Sequence, residues 1–92
     1  MASQRRKKIL IVEDEPEIAQ LVKHYLDKEG FHTCIAQTGL EAQKLVASEH
    51  PDLVILDLML PEMDGLEVCK ALRHKPETSL MPIIMLTAKN EE

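Results

Sequence analysis

Runs of consecutive apolar residues alternate along this chain with segments of helical periodicity. Ile9-Leu10-Ile11-Val12, Leu53-Val54-Ile55-Leu56 and Pro82-Ile83-Ile84-Met85-Leu86 are apolar at every position rather than at every second one. Such runs predict strands covered on both faces, as in a parallel sheet. A fourth strand is predicted from Phe31 to Ala36, where His32 and Thr33 make it half-polar and suit it to a sheet edge. Between the first two strands, Pro16 fits the first turn of a helix, with Glu15 and Glu17 at the positive end of its dipole. Ile18, Leu21, Val22, Tyr25 and Leu26 follow as one apolar stripe, and Gly30 is placed to close the helix in a left-handed conformation.

Thr38-Gly39 supplies a turn and an N-cap for a second helix whose inward side is read as Leu40, Leu45 and Val46. His50-Pro51-Asp52 breaks it. A third helix is read with Leu66, Cys69 and Leu72 inward, and Pro76 ends it. The resulting order, β-α-β-α-β-α-β with crossovers of ten or more residues, is that of an α/β fold with an open parallel sheet. If the order reverses after the second strand, giving 2-1-3-4, right-handed crossovers place the first helix alone on one face. The second and third then share the other. One helix cannot cover four strands, so part of an apolar face is expected to lie open beside a fourth strand that is itself an edge. An edge of that kind invites pairing with another chain. A homodimer or swapped oligomer through the fourth strand and the open face is the expected consequence.

The strand ends carry the candidate chemistry. In open α/β sheets, ligands bind outside the carboxyl ends of the strands. The first strand ends in Glu13-Asp14, the third in Asp57 and the fourth in Thr87. Brought to one rim, an acid pair, an acid and a hydroxyl would make a site for a divalent cation and a phosphoryl group. Each has an ordinary reading when taken alone: helix-dipole acids, a turn residue, a strand-end threonine. Only their convergence favours the site. No glycine-rich phosphate loop follows the first strand, which argues against a nucleotide-binding enzyme. Met59 stands two positions beyond Asp57, where a phosphatase using an aspartyl nucleophile would carry a second acid.

Charge and composition narrow the class further. With 92 residues the chain makes one small domain, and its net charge of −5 opposes a general nucleic-acid-binding face. The basic stretch Arg5-Arg6-Lys7-Lys8 reads as a solvated leader, so residues 1–7 are expected to be a disordered tail ahead of a domain over 8–92. The apolar run behind that tail is too short for a signal peptide or a membrane span, and the expected location is the cytoplasm. Cys34 and Cys69 match no metal or redox spacing, and they read as reduced, buried small hydrophobes. His24, His32, His50 and His74 are scattered singly and read as surface or edge residues.

The segments Ile9 to Glu15, Asp52 to Gly65 and Pro82 to Ala88, in that order, resemble the receiver domain of two-component response regulators. The resemblance implies a flavodoxin-like fold and a phosphoacceptor module rather than an enzyme, capable at most of self-phosphorylation and slow self-dephosphorylation. It implies that Asp57 takes a phosphoryl group from a histidine kinase or phosphotransfer protein. Mg²⁺ would be held by Asp14 and Asp57 directly, by Glu13 mostly through water, and by the backbone carbonyl of Met59. Thr87 would donate its hydroxyl to a phosphoryl oxygen, with small Ala88 leaving room beside it. Gly65 and Pro61 would shape the loop beside the acceptor. Receivers continue with a fourth helix, a fifth strand ending in a phosphoryl-pairing lysine, and a fifth helix, and this chain stops before them. Lys89 is not that lysine. The chain is therefore expected to be a receiver truncated after its fourth strand, impaired in phosphorylation and output. The competing expectation is a signalling-inert fragment that self-associates through its uncovered sheet.

Overall fold

The computed structural model describes residues 6–58, 60 and 65–86. Four strands and three helices alternate: β1 (Lys8–Val12), α1 (Pro16–Lys28), β2 (His32–Ala36), α2 (Gly39–Glu49), β3 (Leu53–Asp57), α3 (Gly65–His74) and β4 (Ile83–Leu86), with a 3₁₀ turn over Pro76–Thr78. All pairings are parallel and the order is β2-β1-β3-β4, as the alternation predicts. β1 is central. It aligns Val12 with both Ala36 and Leu56, while Asp57 of β3 aligns with Leu86 of β4.

Side chains alternate across a strand, so this register sorts the apolar residues onto two faces. Leu10, Val12, Ala36, Val54 and Leu56 form a buried cluster with Ala42 and Val46 of α2 and with Val68 and Leu72 of α3. On the opposite face Ile9 and Ile11 are buried near α1, which packs on β1 and β2. In the same register, Leu53 and Ile55 are only half-buried. Ile84 and Leu86 are 50% and 40% exposed. Cover thus fades from β1 to β4, because α1 is the one helix among the described residues on that side.

The helix stripes follow their expected phase only in part. In α1 only Ala19 is fully buried, whereas Ile18, Leu21 and Tyr25 are exposed. In α2, Leu40 is exposed and Ala42 is buried in its place; in α3, Leu66 is exposed and Val68 is buried. Of the residues expected to face inward, Val46 and Leu72 are buried in the core, and Leu45 and Cys69 pack against it. Both cysteines are free and half-buried, and burial followed by the Glu49 charge pushes the Cys34 thiol up. All four histidines are exposed.

Caps fix where the helices start and stop. The Thr38 side chain accepts from Glu41 N at 3.1 Å, and Glu41 Oε1 accepts from Gln37 N at 2.9 Å, a reciprocal closure of the α2 entrance. At the end of α1, Gly30 adopts φ +94°. Its N–H donates to Asp27 O at 3.0 Å, and Phe31 N–H donates to Leu26 O at 3.1 Å. That paired closure needs a residue tolerant of positive φ. Beyond α3, the Arg73 guanidinium donates to the carbonyls of Ser79 at 3.1 Å and Met81 at 2.6 Å, tying down the entry to β4. The Thr78 hydroxyl donates to Leu72 O.

Candidate functional site

Two neighbouring strands end together at the carboxyl rim of the sheet. Past the end of β1, Glu13 N–H still donates to Ala36 O at 2.9 Å, which carries the ladder one residue further and holds Glu13 at the rim. Glu13 is only 6% exposed, although it is an acid. Its Oε2 accepts from the Glu15 N–H at 3.1 Å, just where the chain turns into α1. Asp14 and Asp57 are half-buried beside it. One carboxylate oxygen from each of Glu13, Asp14 and Asp57 lies within 4.8 Å of the others.

The backbone around Asp57 is gripped from two sides. Leu58 N–H donates to Leu86 O of β4 at 3.2 Å, and Gly65 N–H donates to Leu58 O at 3.0 Å. The first residue of α3 therefore sits directly on the end of β3. A Cβ at position 65 would lie 2.7 Å from Asp57 O and 2.7 Å from Leu58 Cα. Only glycine allows that approach.

Three acids this close repel one another. At 4.8 Å a pair of unit charges costs about 1 kcal/mol in bulk water and about 3.5 kcal/mol at an effective dielectric of 20. Glu13 shows the effect: its pKa is raised above 4.5, first by burial, then by the charge of Asp57 and a hydrogen-bonding contact with it, and by Asp14. The Glu15 N–H opposes this by stabilising the carboxylate, but it does not prevail. A cluster of hard oxygen donors whose repulsion raises proton affinity suits a small divalent cation, which relieves the same repulsion without a proton.

Of the residues singled out in the sequence, Glu13, Asp14 and Asp57 are brought together, and Gly65 packs against the backbone of Asp57. Met59, Pro61, Thr87, Ala88 and Lys89 lie outside the described residues. The part played by the Glu15 N–H in orienting Glu13 is not legible as a motif. Its only signal is the chain reversal that Pro16 enforces two residues after an acid pair.

The arrangement has many relatives. The family model for the response regulator receiver domain matches residues 9–92. Over 86 residues the chain is 49% identical to the alkaline phosphatase synthesis transcriptional regulatory protein PhoP of Bacillus subtilis, covering 94% of this chain and 35% of that protein. The chain thus spans about a third of that curated relative. Among solved structures, the signal receiver domain of a signal transduction histidine kinase from Syntrophus aciditrophicus is 39% identical. It superposes with a TM-score of 0.86, over 92% of this chain and 64% of the other. A response regulator from Chloroflexus aurantiacus gives a TM-score of 0.90 at 34% identity, over 95% of this chain and 71% of the other. No helix among the described residues is long and apolar enough to cross a membrane. On fold, strand-end acids and sequence together, the chain belongs to the response regulator receiver domains of two-component signalling.

Proposed function

We propose that Asp57 is the phosphoacceptor of this receiver and that Glu13, Asp14 and Asp57 hold Mg²⁺. The observation that carries the reading is the approach of three carboxylates from two adjacent strand ends to within 4.8 Å. Octahedral Mg²⁺ with bonds of about 2.0–2.1 Å spans about 4.2 Å between opposite oxygens. A spread of up to 4.8 Å is close to that span, and the likeness to receivers supports direct contact by Asp14 and Asp57 and contact through water by Glu13. The backbone carbonyl of Met59 and the hydroxyl of Thr87 complete the site in this reading. The bound ion supplies charge neutralisation between the acceptor and the incoming phosphoryl group.

The protein's own part is positioning. An Asp57 oxygen attacks phosphorus, a P–O bond forms, and the P–N bond to the donor imidazole breaks. Asp57 is held for this from both sides of its backbone, by β4 and by the start of α3. The donor is a histidine kinase or phosphotransfer protein, and the module works in signalling rather than as an enzyme.

Incubation with acetyl phosphate and Mg²⁺, read by intact mass, is expected to add one phosphoryl group to the parent and none to Asp57→Asn. A Mg²⁺ titration is expected to show weaker binding by Asp57→Asn. Equal affinity in the two proteins refutes the metal assignment, and equal labelling refutes the acceptor. A second reading is favoured by the exposure of Ile84 and Leu86. In it, the chain self-associates through its open sheet face and β4 edge and carries no signal. Failure of the parent to label would support that reading.

A further inference from the structure

At the rim opposite the acids, α2 and α3 part around a cavity of about 270 Å³. Its α2 wall is one helical face, Gln43, Val46 and Ala47, continued by the cap residue His50, and Leu72, Pro51 and Met81 supply the apolar remainder. Val46, Pro51, Leu72 and Thr78 are buried and form its base. A dry apolar void of roughly 150 Å³ is enough to take up benzene. This one has room for a branched aliphatic side chain.

Leu80, immediately beside Met81, is 92% exposed. It is the most exposed large hydrophobic residue among those described. A knob and a hole that share one rim can satisfy each other across a two-fold axis, since in such an interface each residue meets its counterpart's partner. The charges on the rim obey the same symmetry. Lys75 and Glu77 both line the cavity, and neither has an ion-pair partner among the described residues. A two-fold operation would set Lys75 of one copy against Glu77 of the other, twice.

We propose that this rim is a self-complementary docking surface for a second copy of the chain, with Leu80 of each copy seated in the other's cavity and Lys75 meeting Glu77 at its mouth. The surface is distinct from the acidic site and from the open face at Ile84 and Leu86. The patch is small, so association belongs to the weak, transient class.

Sedimentation velocity of the 92-residue chain, over micromolar to millimolar concentrations, tests the proposal. Leu80→Asp is expected to weaken association by roughly ten-fold or more, as loss of a central anchor does. Position 80 is exposed, and an unchanged circular dichroism melt would establish that the variant folds. Lys75→Glu and Glu77→Lys are each expected to weaken association, and the double reversal to restore it. Three results would overturn the proposal: a parent monomeric at every concentration, association unaffected by Leu80→Asp but abolished by Ile84→Asp, or a double reversal no better than either single variant.

Discussion

Replacing Gly65 by alanine probes the seating of α3 on the acceptor strand. The new methyl group would start 2.7 Å from Asp57 O, 2.7 Å from Leu58 Cα and 3.2 Å from Asp57 C, all of them backbone atoms. No side chain can swing aside, so either the helix start or the end of β3 must move. Overpacking of this kind costs about 1–3 kcal/mol. Alanine recovers about 0.4–1 kcal/mol by restricting the unfolded chain. The net expectation is a destabilisation of up to about 2.5 kcal/mol, centred on about 1 kcal/mol, or a fall in Tm of roughly 4–8 °C at that centre for a domain of this size. Because the displaced atoms belong to Asp57 and its neighbour, Mg²⁺ affinity should fall several-fold as well, since the ion tolerates little departure from octahedral geometry. Thermal melts with and without Mg²⁺ measure both effects, with Lys70→Ala on the exposed side of α3 as a control expected to be neutral. A Gly65→Ala protein as stable as the parent, with unchanged Mg²⁺ affinity, would refute the contact.

Two further outcomes follow from the electrostatics and the caps. With a chelator present, Glu13 binds its proton more tightly folded than unfolded, so its contribution to stability is full below 4.5 and is lost as pH rises through the raised value. Asp27 and Glu49 act in the opposite sense: hydrogen bonds from Lys23 and Thr33 lower the first, a hydrogen bond from Lys8 lowers the second, and their contributions fade as pH falls below 3.8 and 4.5. Urea midpoints should therefore decline from mildly acidic to neutral pH. Glu13→Gln should flatten that decline, and an unchanged slope would dismiss the assignment. Thr38→Ala removes the cap that accepts from Glu41 N and should cost about 1 kcal/mol in urea unfolding; a loss below a few tenths would mean that Glu41 closes the entrance alone.

The parallel strands and the acidic rim were legible because β1 and β3 are apolar at consecutive positions, the pattern of strands within a parallel sheet, although β3 is only half covered on the α1 side. Helix phase was harder. Leu40 and Leu66 are larger than Ala42 and Val68, yet the smaller residues are the buried ones, and a periodicity count over so few apolar positions does not separate them. The burial of Glu13 was hidden for a similar reason. An acid beside Asp14 and Glu15 looks like one of a solvated group until the ladder bond to Ala36 pulls it beneath the rim. Pro76 marks the stop that α3 reaches at His74, but the short turn over Pro76–Thr78 and the carbonyls gathered by Arg73 depend on contacts several residues apart.

The central place of β1 has a consequence for how the domain fails. Asp14 follows the strand with neighbours on both sides, and Asp57 ends the strand next to it. Opening that begins with peeling of β4 takes away the partner strand of Asp57 at once, whereas the Asp14 end of β1, flanked by β2 and β3, is reached late. Under stress, such a molecule would let Asp57 drift out of line while Glu13 and Asp14 still kept each other's company.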